Sequence, residues 1–226
     1  ENDQERQIKI ENSLLKRLQT KASKNIKKIV FNTYRSLAKS SEGLNQIYRL
    51  WNQDEEIEDL FFNQDELTNL AQTLSLFGHP NSKEILDKAK AALTNPDKRE
   101  HFKFMEAALT GDPEIRTAYF ESFKSPKYRE KESWVQAAAG FIHHPIRQDE
   151  SIRTLPLSLK LLEEIQSTGD IFFPKRWLDA TVGQYTSKQA YDLVLNYLNT
   201  NPNLSPDLKN KLLQASDKLF RRHGTD

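Results

Sequence analysis

The sequence predicts an all-α chain of about eleven helices on short connectors, and three observations carry that expectation. Apolar residues recur at i, i+3, i+4 and i+7 in segment after segment, and no segment sustains a period of two. Residues suited to helix N-termini, several followed by proline, stand at the starts of these segments. Only seven of 226 residues are glycine, on which tight β-hairpins depend. Sequential helices on short loops lie antiparallel, so the chain is either a globular bundle or a curved stack of helix pairs. It carries no clean internal repeat, which makes any stacking irregular.

Two helices open the chain, from about Gln7 to Thr20 and from about Ala22 to Ser40. Their apolar positions are Leu14, Leu15 and Leu18, then Ile26, Ile29, Val30, Tyr34 and Leu37, spaced for one face. Leu44, Ile47, Tyr48 and Trp51 repeat the pattern before an acidic loop from Asp54 to Asp59. Asn63 with Glu66 forms a capping-box signature ahead of Leu67, Leu70, Ala71 and Leu74. Asn81 with Glu84 repeats the device ahead of Ile85, Ala89, Ala92 and Leu93. Asn95-Pro96 and Asp112-Pro113 each join a cap to a proline at the first helical position, giving three short helices between Asn81 and about Phe123. Ser125-Pro126 starts the next, with Trp134, Ala137, Ala138, Phe141 and Ile142 on its face and His143-His144-Pro145 as its stop. Leu155, Leu159, Leu162 and Ile165 line a helix that ends at Gly169. Beyond it, Thr186 with Gln189 caps a helix carrying Ala190, Leu193, Val194, Tyr197 and Leu198. Ser205-Pro206 opens the last, with Leu208, Leu212, Ala215 and Leu219.

At 37% hydrophobic and 29% charged, the chain is not compositionally disordered, and a single helical domain over residues 1–226 is expected. Thirty-three basic against 32 acidic residues leave a formal net charge of +1, which gives no overall pull towards nucleic acid or anionic lipid. The absence of cysteine excludes disulfides and thiolate chemistry and leaves the redox compartment open. No apolar run approaches the roughly 20 residues of a membrane helix. The first residue is Glu1 and no signal-peptide pattern precedes it, as expected of a mature form or an excised fragment.

Motifs for catalysis are largely missing. The histidines are His79, His101, His143, His144 and His223, and none lies in an H-E-x-x-H arrangement. There is no P-loop, no G-x-G-x-x-G and no G-x-S-x-G. His143-His144 is the sharpest metal candidate, yet adjacent residues at a helix end point in different directions, so a pair favourable to the helix dipole is expected instead. Asp54, Glu55, Glu56, Glu58 and Asp59 could bind calcium or serve as acid and base, but they lack spaced ligands and a turn glycine, so a solvated acidic connector is expected. Between Asn12 and Ser41, Lys16, Arg17, Lys21, Lys24, Lys27, Lys28, Arg35 and Lys39 stand without one acid, a basic face that could follow a phosphate backbone. Residues 42–70 hold eight acids and one base, so the two segments are expected to neutralise one another across the fold. Phe102, Phe104, Tyr119, Phe120 and Phe123 are expected in the core.

The densest stretch runs from Thr168 to Leu178. Gly169 ends one helix, Asp170 can cap the next, and Pro174 limits where a new register begins. Ile171, Phe172, Phe173, Trp177 and Leu178 together offer on the order of several kcal/mol if buried, which would seed a core and leave Lys175 and Arg176 at its rim. Phe172, Phe173 and Trp177 could wall a pocket and Lys175 and Arg176 could clamp a ligand, although burial and plain surface roles are the default for such residues.

A family resemblance rests on five runs: Gly43 to Trp51, Asn95-Pro96-Asp97-Lys98-Arg99, Trp134-Val135-Gln136-Ala137-Ala138, Thr168 to Leu178, and Lys211-Leu212-Leu213-Gln214-Ala215-Ser216-Asp217. Over about Ala38 to Phe220 the chain resembles the C-terminal helical domain of aminopeptidase N-type zinc metallopeptidases, the bacterial branch most, and so also the endoplasmic-reticulum aminopeptidase C-terminal domain. The resemblance implies an irregular right-handed HEAT-like stack of antiparallel helix pairs. It places the zinc, its ligands and the general base in a separate thermolysin-like domain, so this chain would hold no catalytic residue, metal ligand or cofactor and would be inactive alone. Its partners would be that catalytic domain and peptide substrate, whose access it would gate by capping the cleft, with no membrane and no nucleic acid. The compartment would be bacterial periplasm or exterior, or cytoplasm. In some relatives a basic side chain just after the glycine corresponding to Gly169 reads a substrate carboxylate. Here Asp170 holds that place, and Lys175, Arg176 and Trp177 are further candidate contacts. Two other readings stand beside this one: a free-standing α-solenoid scaffold for a protein or nucleic-acid partner, and a helical enzyme using Glu55 and Glu56 of the acidic loop.

Overall fold

The computed structural model describes residues 3–224, which form helices and connecting turns with no strand among them. The chain divides into two compact units, one ending at Phe102 and one beginning at Lys103, and the division falls inside a helix.

The first unit holds α1 (Asp3–Gln19), α2 (Lys24–Leu37), α3 (Ser41–Trp51), α4 (Gln64–Leu76), α5 (Ser82–Ala92) and the start of α6 (Pro96–Leu109). Helix α1 packs on α2, α3 on α4, and α4 on α5, so sequential helices are neighbours, as short loops demand. Leu18, Phe31, Tyr34, Ile47, Leu70 and Leu74 are among the side chains of its core.

The buried face of α2 differs from the expected one. Tyr34 is buried and Val30 packs against the core as expected, but Ile26, Ile29 and Leu37 are exposed, and Lys27 and Phe31 are buried in their place. Phe31 offers more apolar area than an isoleucine and meets Phe62 with ring centroids 4.8 Å apart. Lys27 lies inward on its aliphatic stem and finds an acceptor for its ammonium, donating to the Glu58 carbonyl at 2.5 Å.

Cap chemistry sets several helix starts. Asn63 and Glu66 form both bonds of the capping box of α4. Asn95 Oδ1 accepts from the Asp97 and Lys98 amides, and Asp112 Oδ1 from the Glu114 and Ile115 amides. The expected box at Asn81 and Glu84 does not form. The Asn81 amide donates to His79 Nδ1 at 3.2 Å, and Glu84 pairs with Lys88 at 2.8 Å. The cap of the 188–200 helix is Ser187, one residue after the expected Thr186.

The second unit contains the end of α6, then α7 (Pro113–Ser122), α8 (Glu132–Ile142), α9 (Gln148–Ser151), α10 (Leu155–Lys160), α11 (Leu162–Thr168), α12 (Phe173–Ala180), α13 (Lys188–Thr200), α14 (Pro206–Ala215) and α15 (Asp217–His223). The helical segments outnumber the about eleven expected because predicted helices are broken, the last of them at Ser216 into α14 and α15, and because the short α9 was not expected. Ser125 and Pro126 start only a single 3-10 turn, Pro126–Arg129, before α8. The segment read as one helix up to Gly169 is interrupted at Leu161, although Leu155, Leu159, Leu162 and Ile165 are all buried as expected. Helix α8 is rotated by about one residue, burying Val135, Ala138, Ala139 and Ile142 and leaving Trp134 half-buried.

Contacts in this unit join helices that are not consecutive: α12 with α8 and α14, α10 with α13, and α11 with α14. Three buried arginines tie helix ends together. Arg147 donates to the carbonyls of Ala108 at 2.7 Å, Leu109 at 3.1 Å, Thr110 at 3.3 Å and Phe141 at 3.2 Å. Arg116 bonds the Thr110 carbonyl and Glu150, and Arg129 the Phe123 carbonyl and Glu164. These guanidinium groups satisfy C-terminal carbonyls that helices cannot satisfy themselves.

Candidate functional site

The candidate residues lie at the corner between α11 and α12. Helix α11 ends where the Gly169 amide donates to the Ile165 carbonyl at 2.9 Å. A Cβ at Gly169 would stand 2.7 Å from the Phe173 ring, 2.9 Å from the Ile165 carbonyl oxygen and 3.0 Å from Glu132 Oε1, so close approach demands glycine here. Asp170 then turns the chain as expected. Its Oδ1 accepts from the amides of Phe172 at 2.6 Å and Phe173 at 3.0 Å, the short-range capping that aspartate favours. The Phe172 amide holds the Asp170 carboxyl below its ordinary range. Pro174 sits in the first turn of α12, where its missing N–H costs nothing.

The apolar residues of the corner divide. Phe173, Trp177 and Leu178 are buried, but Ile171 is 74% exposed and Phe172 62%, against the expectation that all five share one core. The Asp170 turn causes the split by pointing residues 171 and 172 outward before the helical register starts at Phe173. Trp177, expected among the substrate contacts, has no exposed surface. It stacks on Phe120 at 5.4 Å, and its indole N–H donates to the Ser158 carbonyl at 3.0 Å. It is a core residue that presents nothing to a ligand.

The three remaining candidates are on the surface and locally paired. Lys175 donates to both carboxylate oxygens of Asp179 at 2.6 Å. Arg176 lies 3.7 Å from Asp170 and places its guanidinium 5.5 Å from the centre of the Phe172 ring. Ile171 and Phe172 thus form an exposed apolar knob with Arg176 and Asp170 beside it. Glu132, at the start of α8, completes the corner: its Oε1 accepts from the Asp170 amide at 2.8 Å. Burial and the neighbouring Asp170 charge push the Glu132 carboxyl up. It escaped the sequence reading because its partner is 38 residues away and no local pattern marks the contact.

The other candidates have structural partners. His143 does not sit at an open helix end; it is fully buried, with Nδ1 2.6 Å from the Tyr185 hydroxyl. His144 Nδ1 accepts from the Ile146 amide at 3.3 Å. Among the described residues no three His, Asp or Glu side chains converge to hold a metal ion. The basic segment meets residues 42–70 where Lys28 pairs with Glu66 at 2.6 Å and bonds the Phe61 carbonyl, whereas Glu55 of the acidic loop pairs with Arg49 of its own segment at 3.2 Å. A cavity of about 410 Å³ beside the loop is lined by Leu50, Leu60, Leu67, Glu56, Glu58 and Asp59, among others. No helix is long and apolar enough to cross a membrane among the described residues.

Comparison with protein-family models and with curated proteins returns no match for this chain.

Proposed function

We propose that this chain is an accessory helical domain of an aminopeptidase N-type zinc peptidase, capping the catalytic cleft and gating peptide access without a zinc site of its own. The observation that carries this reading is the spacing of contacts within each unit. Polar links between elements recur at nearly one two-helix repeat, 34 residues from Arg116 to Glu150, 35 from Arg129 to Glu164 and 38 from Lys28 to Glu66. Contacts between non-consecutive helices such as α8, α12 and α14 accompany them. A stack of helix pairs produces this pattern, and a HEAT-like stack is the architecture that the sequence resemblance implies. In this reading the Ile171–Phe172 knob is an interaction surface, with Asp170, Lys175 and Arg176 at its edge.

The test is reconstitution. The catalytic portion of the parent protein, prepared separately, is assayed on aminoacyl-anilides and on longer peptides with and without this chain. The expected result is no turnover by the chain alone in the presence of zinc, and a change in peptide-length preference when it is added. Turnover by the isolated chain, or a parent reading frame without an H-E-x-x-H segment, would rule the proposal out.

A further inference from the structure

The outer face of α2 is a second surface, and its side chains fall into ordered rows. At 3.6 residues per turn, Asn25, Ile29, Asn32 and Ser36 form one line along the helix. All four are exposed, Ile29 by 67%. On one flank run Lys24, Lys28 and Arg35; on the other, Ile26 and Leu37, 43% and 39% exposed. Lys28 is paired with Glu66. Among the described residues Lys16, Lys21, Lys24, Arg35 and Lys39 form no ion pair, so the basic excess of this segment is only partly cancelled. Phe61, 68% exposed, continues the basic flank, with the Lys24 ammonium 5.6 Å from its ring centre.

We propose that this face docks an acidic peptide segment carrying aliphatic side chains. Its charge is complementary to such a segment, and its make-up selects a polypeptide over other anions. A bilayer would strip water from Asn25 and Asn32 and give their amides no partner. A nucleic-acid strand would find a single exposed ring on this face, Phe61, too few to stack successive bases, and would leave the aliphatic Ile26 and Ile29 without partners. A peptide offers carboxylates to Lys24 and Arg35, aliphatic groups to Ile26 and Ile29, and main-chain donors and acceptors to the asparagines. The inference depends on the peptidase reading only in making peptides the relevant ligands, and binding is measured without any turnover, so either can fail alone.

The experiment is fluorescence anisotropy of the whole chain with a labelled peptide of glutamate and leucine at helical spacing. Its glutamine counterpart, phosphatidylserine vesicles and single-stranded oligonucleotide serve as competitors. Binding of the acidic peptide is expected, weakened about tenfold or more in K24E/R35E by charge reversal and in I29D by loss of the aliphatic contact. Lys24 and Ile29 are exposed and Arg35 is half-buried, and unchanged circular dichroism verifies folding. Absence of binding, equal binding by the variants, or displacement by vesicles or oligonucleotide but not by excess acidic peptide would overturn the proposal.

Discussion

The Nδ1 atom of His143 and the hydroxyl of Tyr185 lie 2.6 Å apart in the interior of the second unit. The Thr154 hydroxyl, 3.5 Å from Nε2, donates to the Ser151 carbonyl at 2.7 Å and can only accept from the ring. Nε2 therefore carries the proton of the neutral imidazole, and Nδ1 accepts from Tyr185.

This arrangement makes the second unit acid-sensitive. Burial depresses the His143 pKa to about 3, against about 6.5 in an unfolded chain. Above pH 6.5 the imidazole is neutral in both states and its contribution is fully present. Below that the unfolded chain gains a proton that the folded chain refuses, so stability is lost as pH falls towards 3. Between pH 7 and pH 4.5 wild type should lose about 2–3 kcal/mol more than His143→Gln, measured by urea unfolding at the two pH values.

Glu11 holds the entry to α3. Burial would raise its pKa, yet bonds from Ser40 and Lys39 keep it below the ordinary range: Oε1 accepts the Lys39 amide at 2.8 Å and the Ser40 amide at 3.0 Å, and Oε2 accepts the Ser40 hydroxyl. Glu11→Ala strands those donors and should cost about 2–4 kcal/mol. Hydrogen exchange at the Lys39 and Ser40 amides should accelerate before exchange in α4 does. Unchanged protection there would show that the carboxylate is dispensable.

Gly169→Ala tests the corner between α11 and α12. The new methyl group meets backbone and a buried ring at under 3.0 Å, so the corner must open. A loss of about 1–3 kcal/mol is expected, seen as a lower melting temperature together with a change in tryptophan fluorescence from around Trp177.

Two neighbours on the same corner should behave oppositely. Trp177→Ala removes the largest fully buried side chain and should cost about 3–5 kcal/mol. Phe172→Ala removes an exposed ring and should change stability by under about 0.5 kcal/mol, while weakening association with a catalytic partner in the reconstitution assay. Similar stability losses for both would contradict the division of the corner into core and knob.

Helix existence was legible in the sequence because caps and apolar spacing are local. The Asn63–Glu66 box, the Asp112 cap and the Asp170 turn formed as their residues predict. Which face is buried was less legible, since packing chooses between adjacent stripes: Phe31 prevailed over Ile29, and Val135 over Trp134. The candidate corner was located by composition, but its split into buried Trp177 and exposed Phe172 follows from a two-residue turn, and its Glu132 support from the opposite end of another element. His143 was misjudged because its neighbour in sequence, His144, says nothing about Tyr185, which the fold supplies.

Lys27 and Lys28 seize the loop between α3 and α4 by the carbonyls of Glu58 and Phe61 rather than by its acids. Every residue type carries that carbonyl, so the strap's two lysine anchors do not depend on which side chains stand at 58 and 61. Glu56 and Glu58 can therefore exchange their carboxylates and retune the local electric field, while Glu55, tied to Arg49 and Gln46, cannot be swapped so lightly.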